Sequence, residues 1–401
     1  MKINVFAGSK EGINMFFYIE TEKIKNELSE NRRFFHKTAE VGLEMPLAQE
    51  YVMKKLTEYG LSPKKCGHGV TALIGSGSPV LLLRADMDAL PMEEMSGEEF
   101  ACTSGHAHAC GHDLHAAMLL GAAKVLKNNE EMLKGTVKLM FQPAEETFEG
   151  SRDMIANGIL EEPHVDAALA FHVAPGKLLP GTFMYNAGGV MMNSVDGFHI
   201  DIKGKGGHGA YPNLAVDPLN IAAHIYTALE ALIAREADPE KVCVLTIGQL
   251  HGGQAANIIP DSAFMEGTLR TNDRLQKEKL SARIAEIAEK TAGLYGGTAQ
   301  VTKLSDVPPL ICDKELTEKM VGYMNELGGL KPIPNMKANA SEDFAVIASA
   351  VPSAFMYLSA GFDDERGEPS AHNPKVRFNE AVLPIGAAAL AHCAVRWLEE
   401  N

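Results

Sequence analysis

The spacing of apolar positions changes character twice along the chain. Residues 17–59 carry them at helical period, with Pro46 marking a fresh helix start, so this segment reads as amphipathic helix packed outside a sheet. VTALIG (70–75) and PVLLLRAD (79–86) are short, continuous apolar runs bounded by Gly, Ser and Pro, the pattern of strands buried on both faces. TVKLMFQPA (136–144) and VDAALAFHV (165–173) repeat it, and a helical pattern lies between the strands at 112–127. This alternation predicts an α/β core built on a mostly parallel sheet.

The first change falls at Ala187, Gly188 and Gly189, after which SVDGFHIDIKGKG (194–206) alternates apolar and polar residues as a half-exposed antiparallel strand does. A helix over 217–235, strands at 242–250 and 262–270, a helix at 273–294 and a strand at 298–304 follow, which make an α+β unit with one open sheet face. Beyond Pro308 and Pro309 the first pattern resumes and closes on an Ala-rich helix over 380–398. The predicted organisation is therefore a first domain of residues 1–187 and 306–401, with residues 188–305 inserted into it. There is no internal repeat or low-complexity tract.

Composition narrows the function classes. A chain of 401 residues that is 46% hydrophobic can bury more than one average core. Net charge is −15 with the basic residues scattered, which argues against a nucleic-acid groove or an anionic membrane and favours small soluble substrates. The opening MKINVFAGSK lacks the apolar region of a secretory leader, and no stretch approaches the roughly 20 apolar residues of a membrane span. Cys66, Cys102, Cys110, Cys243, Cys312 and Cys393 show no paired spacing, so a disulfide framework is not expected and the cytoplasm is the expected home.

The chemistry concentrates in HAHACGHDLHAA, where His106, His108, Cys110, His112, Asp113 and His115 crowd the mouth of a predicted helix. Thiolate and imidazole are ligands for zinc and similar ions, and a metal accounts for so many polar groups in one loop better than satisfied loop histidines do. FQPAEE ends a predicted strand in Glu145 and Glu146, whose side chains point opposite ways if the segment stays extended. One can then hold metal while the other takes a proton, the division a hydrolytic site needs. His172 ends an apolar strand and His372 sits in a turn, while Asp86 and Asp88 in RADMDALP share one side of an extended segment and suit the orientation of liganding imidazoles.

RADMDALP, HACGHDLHAA, FQPAEE, GKGGHGAYP, GGQAANIIPD, GTLR, SEDFA and AHNP occur in an order and spacing that resembles the aminoacylase and carboxypeptidase family of dinuclear metallohydrolases, peptidase family M20. Within it the chain is most similar to the amidohydrolase subgroup that includes hippurate hydrolases, N-acyl-L-amino acid amidohydrolases and indole-acetyl-amino-acid hydrolases. The resemblance implies a metallohydrolase catalytic domain with an inserted, ferredoxin-like lid and dimerisation domain. It implies two divalent ions per chain, zinc first and manganese, cobalt or nickel as alternatives, on Cys110, His112, Glu146, His172 and His372, with Glu145 as general base. His208 matches a histidine that reaches across a dimer interface to stabilise the transition state, and Asn257 and Arg270 match positions linked to the substrate or its carboxylate. A homodimer or higher homo-oligomer is expected. The chain departs from the family pattern at Ala39, where Pro is usual after His36, at Asn213 after Pro212, and at Ala107 before HACGHD. The expected reaction is hydrolysis of an N-acyl amino acid, the alternatives being a dipeptidase or carboxypeptidase with the same chemistry, or a metal-binding protein that has lost catalysis.

Overall fold

The computed structural model describes residues 10–401. Residues 1–9, which make up most of the segment read for a leader, lie outside the described residues. The chain forms two compact units, one of residues up to Met191 with Ile311–Lys337 and Glu342–Asn401, the other of Met192–Leu310 with Ala338–Ser341.

The first unit is built on an eight-stranded sheet. From one edge the order is Lys64–Cys66, Gly69–Gly75, Thr136–Gln142, Val80–Asp86, Ala167–Ala174, Ser353–Ser359, Thr182–Tyr185 and Lys331–Ile333. The four central strands, from Thr136–Gln142 to Ser353–Ser359, are mutually parallel. Antiparallel pairings flank them on both sides. The central strands are buried residue by residue, as their unbroken apolar runs require.

Two helices form the heart of the core against this sheet. In His112–Asn128 every side chain from His112 to Leu126 except Lys124 is buried. Val382–Glu400 packs on that helix and also meets Lys10–Lys23, Lys25–Lys37 and Lys314–Glu326. Among the described residues, Val382–Glu400 is the one helix long and apolar enough to cross a membrane, which corrects the expectation that no run reaches that length. Its window is 83% buried inside the protein, so the apolar run is core.

The second unit carries a four-stranded antiparallel sheet of Val195–Lys203, Cys243–Gly252, Ser262–Thr271 and Thr298–Val307. With helices Pro218–Glu236 and Arg274–Leu294 the chain order is βαββαβ and the spatial order of strands 4-1-3-2, a ferredoxin-like arrangement. The helices cover one face through Ile200, Ile202, Ile225, Leu229, Met265, Leu269, Leu280 and Ile284. Both helices begin on an aspartate whose side chain accepts a backbone amide, Asp217 from Leu219 and Asp273 from Gln276.

Candidate metal centre

Parallel strands align their carboxyl ends, and a crevice beyond those ends is where an open α/β sheet places its chemistry. Val80–Asp86 ends on Asp86, Thr136–Gln142 leads into the turn holding Glu145 and Glu146, and Ala167–Ala174 carries His172. The helix that opens at His112 adds Cys110 and His112. Gly111, between them, has φ of 89°, and a Cβ there would lie 2.4 Å from Val173 Cγ2 and 3.0 Å from Phe378. Only glycine meets both demands. Asp113, in the first helical turn, complements the positive end of the helix and is held by Arg32 Nε at 2.6 Å and His36 Nδ1 at 2.8 Å. Burial opposes the charge on His36, but Asp113 and Glu94 outweigh it and lift its pKa to about 9.

The potential ligand atoms form overlapping groups within 4.8 Å of one another: Cys110, His112 and His172; Cys110, Glu146 and His372; His112, Glu145 and Glu146. Cys110 Sγ lies 3.4 Å from His172 Nε2. Two ligands about 2.1–2.3 Å from a tetrahedral ion sit roughly 3.5 Å apart, so this spacing suits a shared cation. His112 Nε2 and Glu146 Oε1 are buried without a hydrogen-bond partner, although His372 Nε2 approaches that oxygen to 3.2 Å in ion-pair range. The donor set and its orphaned atoms fit divalent metal.

The second nitrogen of the His112 and His172 rings is occupied. His112 Nδ1 meets Asp88 Oδ1 at 3.1 Å, and Asp88 Oδ2 accepts the Glu146 amide at 3.0 Å, so one carboxylate orients two of these residues. His172 Nδ1 donates to Val173 O at 2.7 Å, which leaves Nε2 as the lone-pair nitrogen facing Cys110. Asp86 accepts from His115 Nδ1 at 2.5 Å and lies 3.8 Å from His112 Nε2.

Glu145 and Glu146 do not sit on extended chain. The strand stops at Gln142, Ala144 has φ of 53°, and Glu145 and Glu146 lie in the turn beyond it, each with a carboxyl oxygen in the His112 group. The opposite orientation expected of an extended segment is therefore not found: the two carboxyls share the His112 group, and beyond it Glu146 joins Cys110 and His372 while Glu145 joins Glu342 and Asp343. His372 also has positive φ, 61°, and its amide donates to Ala109 O at 2.9 Å. Both positions hold backbone strain beside the ligand groups.

Of the six carboxyl groups here, Asp86, Asp88, Glu145, Glu146, Glu342 and Asp343, three pair with the buried guanidinium of Arg84. Arg84 donates from Nε to Gln142 at 2.9 Å, from Nη1 to Asp86 at 2.5 Å, and from Nη2 to Glu342 at 2.7 Å and Asp343 at 3.0 Å. The surplus negative charge has a titration signature. Burial, then Glu342, Asp343 and Glu146, hold Glu145 well above the usual carboxylate range. Burial opposes ionisation of Glu146, yet His372 and His112 draw its pKa down. Burial pushes the Cys110 thiol up to about 12, which a cation reverses by taking the proton's place. His172 is pressed well below its ordinary value by burial and by His115 and His112.

Cys110, His112, Glu145, Glu146, His172, His372, Asp86 and Asp88 therefore all lie in the first unit and come together. His208, Asn257 and Arg270 lie in the second. His208, on the short strand Gly207–His208, is exposed, pairs in register with Ile258 and accepts the Ala210 amide on Nδ1 at 3.1 Å. Asn257 O accepts the amide of Gly209 at 2.9 Å, so these two predicted residues are neighbours. Arg270 Nη1 donates to Ser341 Oγ at 3.0 Å. Arg84, Glu342 and Asp343 were given no role from sequence, and His115 was counted only among the loop groups that a metal would account for. An arginine inside the apolar run PVLLLRAD was the available signal, because a buried cation requires partners.

A family model described as Peptidase family M20/M25/M40 matches residues 82–396. The chain is 37% identical over 381 residues to IAA-amino acid hydrolase ILR1-like 5 of Arabidopsis thaliana, covering 92% of this chain and 86% of that relative. It is 34% identical over 388 residues to the N-acetyl-L-cysteine deacetylase of Bacillus subtilis, covering 96% and 91%. Among solved structures, the Bacillus subtilis YXEP protein, described as a dinuclear metal binding peptidase from the M20 family, superposes with a TM-score of 0.79 at 29% identity, over 95% of this chain and all of that one.

Proposed function

The chain belongs to peptidase family M20/M25/M40, and on that premise we propose that this metal-dependent hydrolase cleaves the amide bond of N-acyl amino acids or amino-acid conjugates, releasing a carboxylic acid and a free amino acid. The observation that carries the reading is the difference in surroundings between the adjacent Glu145 and Glu146. One carboxyl joins Cys110 and His372, while its neighbour faces Glu342 and Asp343 with its pKa held high. Pure metal binding has no use for the second.

Cys110, His112, Glu146, His172 and His372 would hold two divalent ions, zinc first, with manganese, cobalt or nickel as substitutes. Such ions, when bound, supply Lewis acidity and a water of lowered pKa. Glu145 takes the proton of the attacking water and returns it to the leaving amine nitrogen, a role its raised proton affinity suits. Asp88 keeps His112 and the Glu146 backbone in position meanwhile. Asp86 is assigned the same orienting duty through His115.

In this reading residues 1–187 and 306–401 are the catalytic part, and 188–305 a lid and dimerisation part. Arg270 and Asn257 bind the substrate or its carboxylate, for which a planar guanidinium is apt. The partner's His208 stabilises the oxyanion in a homodimer. Six free cysteines support a reducing, cytoplasmic setting. The deciding experiment strips the protein with chelator, restores zinc or manganese, and follows turnover of an N-acyl amino acid panel beside dipeptides. Metal-restored cleavage that favours the acyl amino acids is expected; faster dipeptide cleavage, or full activity without metal, overturns the proposal.

A further inference from the structure

His115 lies three residues beyond His112 on the same helix, fully embedded, with its ring centroid 4.6 Å from that of His172. Spacing alone would fit a second imidazole ligand from this helix. The hydrogen bonds assign it differently. Its Nε2 accepts the backbone N–H of Val173 at 2.8 Å, and since an amide can only donate, this nitrogen carries no proton. The ring proton is on Nδ1 and is donated to Asp86 Oδ1 at 2.5 Å. Both nitrogens are spent, so no lone pair remains for a metal ion.

The Val173 backbone is the unusual partner. The ladder between Val80–Asp86 and Ala167–Ala174 ends with Arg84 opposite Ala170, three residues short of Val173. Beyond that point a buried amide needs an acceptor from elsewhere, and His115 provides it. On its other side Val173 O accepts from His172 Nδ1 at 2.7 Å. That second bond sets the tautomer and tilt of the His172 ring, whose Nε2 then faces Cys110 Sγ at 3.4 Å. Asp86 anchors the far end, itself fixed by Arg84.

We infer that His115 is a positioning residue that aims His172 through the backbone of Val173, holding the imidazole where it completes the metal group with Cys110. This rests on the proposed reading of His172 as a ligand. Two substitutions separate the two halves of the device, because a Gln amide reaches the place of Nε2 and an Asn amide the place of Nδ1. His115→Gln keeps an acceptor for the Val173 amide and gives up the Asp86 contact. His115→Asn keeps the Asp86 contact and leaves the Val173 amide without a partner.

The test measures zinc affinity of the full-length protein by competition with a chromophoric chelator, and the thiolate-to-cobalt charge-transfer band of the cobalt-loaded protein, with His172→Ala as control and circular dichroism to verify folding. His115→Asn is expected to weaken zinc binding about 10–100-fold and to shift or diminish the band, the usual consequence of losing an orienting partner, whereas His115→Gln stays within a few-fold of the parent. Equal loss in both, no loss in either, or the reverse order overturns the inference. Should His172→Ala bind zinc as the parent does, the ligand reading itself fails. Loss in His172→Ala with full retention in His115→Asn removes only the positioning role. A His115→Asn chain that cannot fold while His115→Gln folds without binding zinc also counts against it.

Discussion

Gly111→Ala tests how tightly the helix mouth is built. The substituted residue must either keep φ near 89°, which costs an L-residue about 1–2 kcal/mol, or rotate away and carry Cys110 and His112 with it. If it stays, the new methyl sits 2.4 Å from Val173 Cγ2 and about 3 Å from two atoms of the Phe378 ring. Both neighbours are buried core side chains, and an extra methyl in such a place costs about 1–3 kcal/mol. The expected destabilisation of the metal-free protein is therefore about 2–5 kcal/mol. The chain has one tryptophan, Trp397, buried in the first unit, so its fluorescence in a urea titration reports the unfolding of that unit. Val173→Ala removes the nearest atom, so the double variant should be less destabilised than the sum of the two single variants by about 1–2 kcal/mol. What remains after that relief measures the backbone part. A Gly111→Ala midpoint indistinguishable from the parent, or strict additivity with Val173→Ala, would refute the argument from both φ and contact.

Glu145→Gln should retain its metal by elemental analysis while kcat falls about 10²–10⁴-fold, the usual range for a lost general base; near-parental turnover removes the assignment. His36 has its folded pKa raised from 6.5 to about 9, so its contribution to stability is complete below pH 6.5 and is lost as pH rises through 9. His36→Gln should cost about 3 kcal/mol at pH 6 and progressively less toward pH 9, and a pH-independent difference contradicts the pairing with Asp113 and Glu94. Mixing Glu145→Gln with His208→Ala under verified subunit exchange should restore part of the activity, since one site of the mixed dimer has both residues intact; no recovery excludes the shared site.

Long apolar runs made the central strands legible, and helical patterns marked Pro218–Glu236 and Arg274–Leu294. The outer strands Lys64–Cys66, Thr182–Tyr185 and Lys331–Ile333 are three or four residues long, too short for any period to register. Cys110 and His112 stood out because their ligand atoms are clustered in sequence. The partners of Arg84 did not, since Glu342 and Asp343 are 258 and 259 positions away and only folding brings them together. Glu145 and Glu146 were found for a geometric reason that does not hold, because the segment is a turn entered through a left-handed alanine, which leaves no trace in sequence, and both carboxyls reach the His112 group. His115 was seen but given no task, as its distinguishing partner is a backbone amide, which every residue but proline offers.

The buried helix Val382–Glu400 also governs when the protein can fold. It is synthesised after every element it packs against, about 300 residues after the Val80–Asp86 strand it helps to cover. At roughly 5–20 residues per second the apolar floor of the first unit waits some 15–60 s on the ribosome for its lid of side chains. The second unit is nearly continuous in sequence and has no such wait. Nascent chains arrested before Val382 should thus show protease protection over 192–310 and none over the central sheet. Early resistance of the sheet would show that it closes without the helix. A chaperone that shields aliphatic surface during translation therefore has most to do on the part of the chain that carries the chemistry.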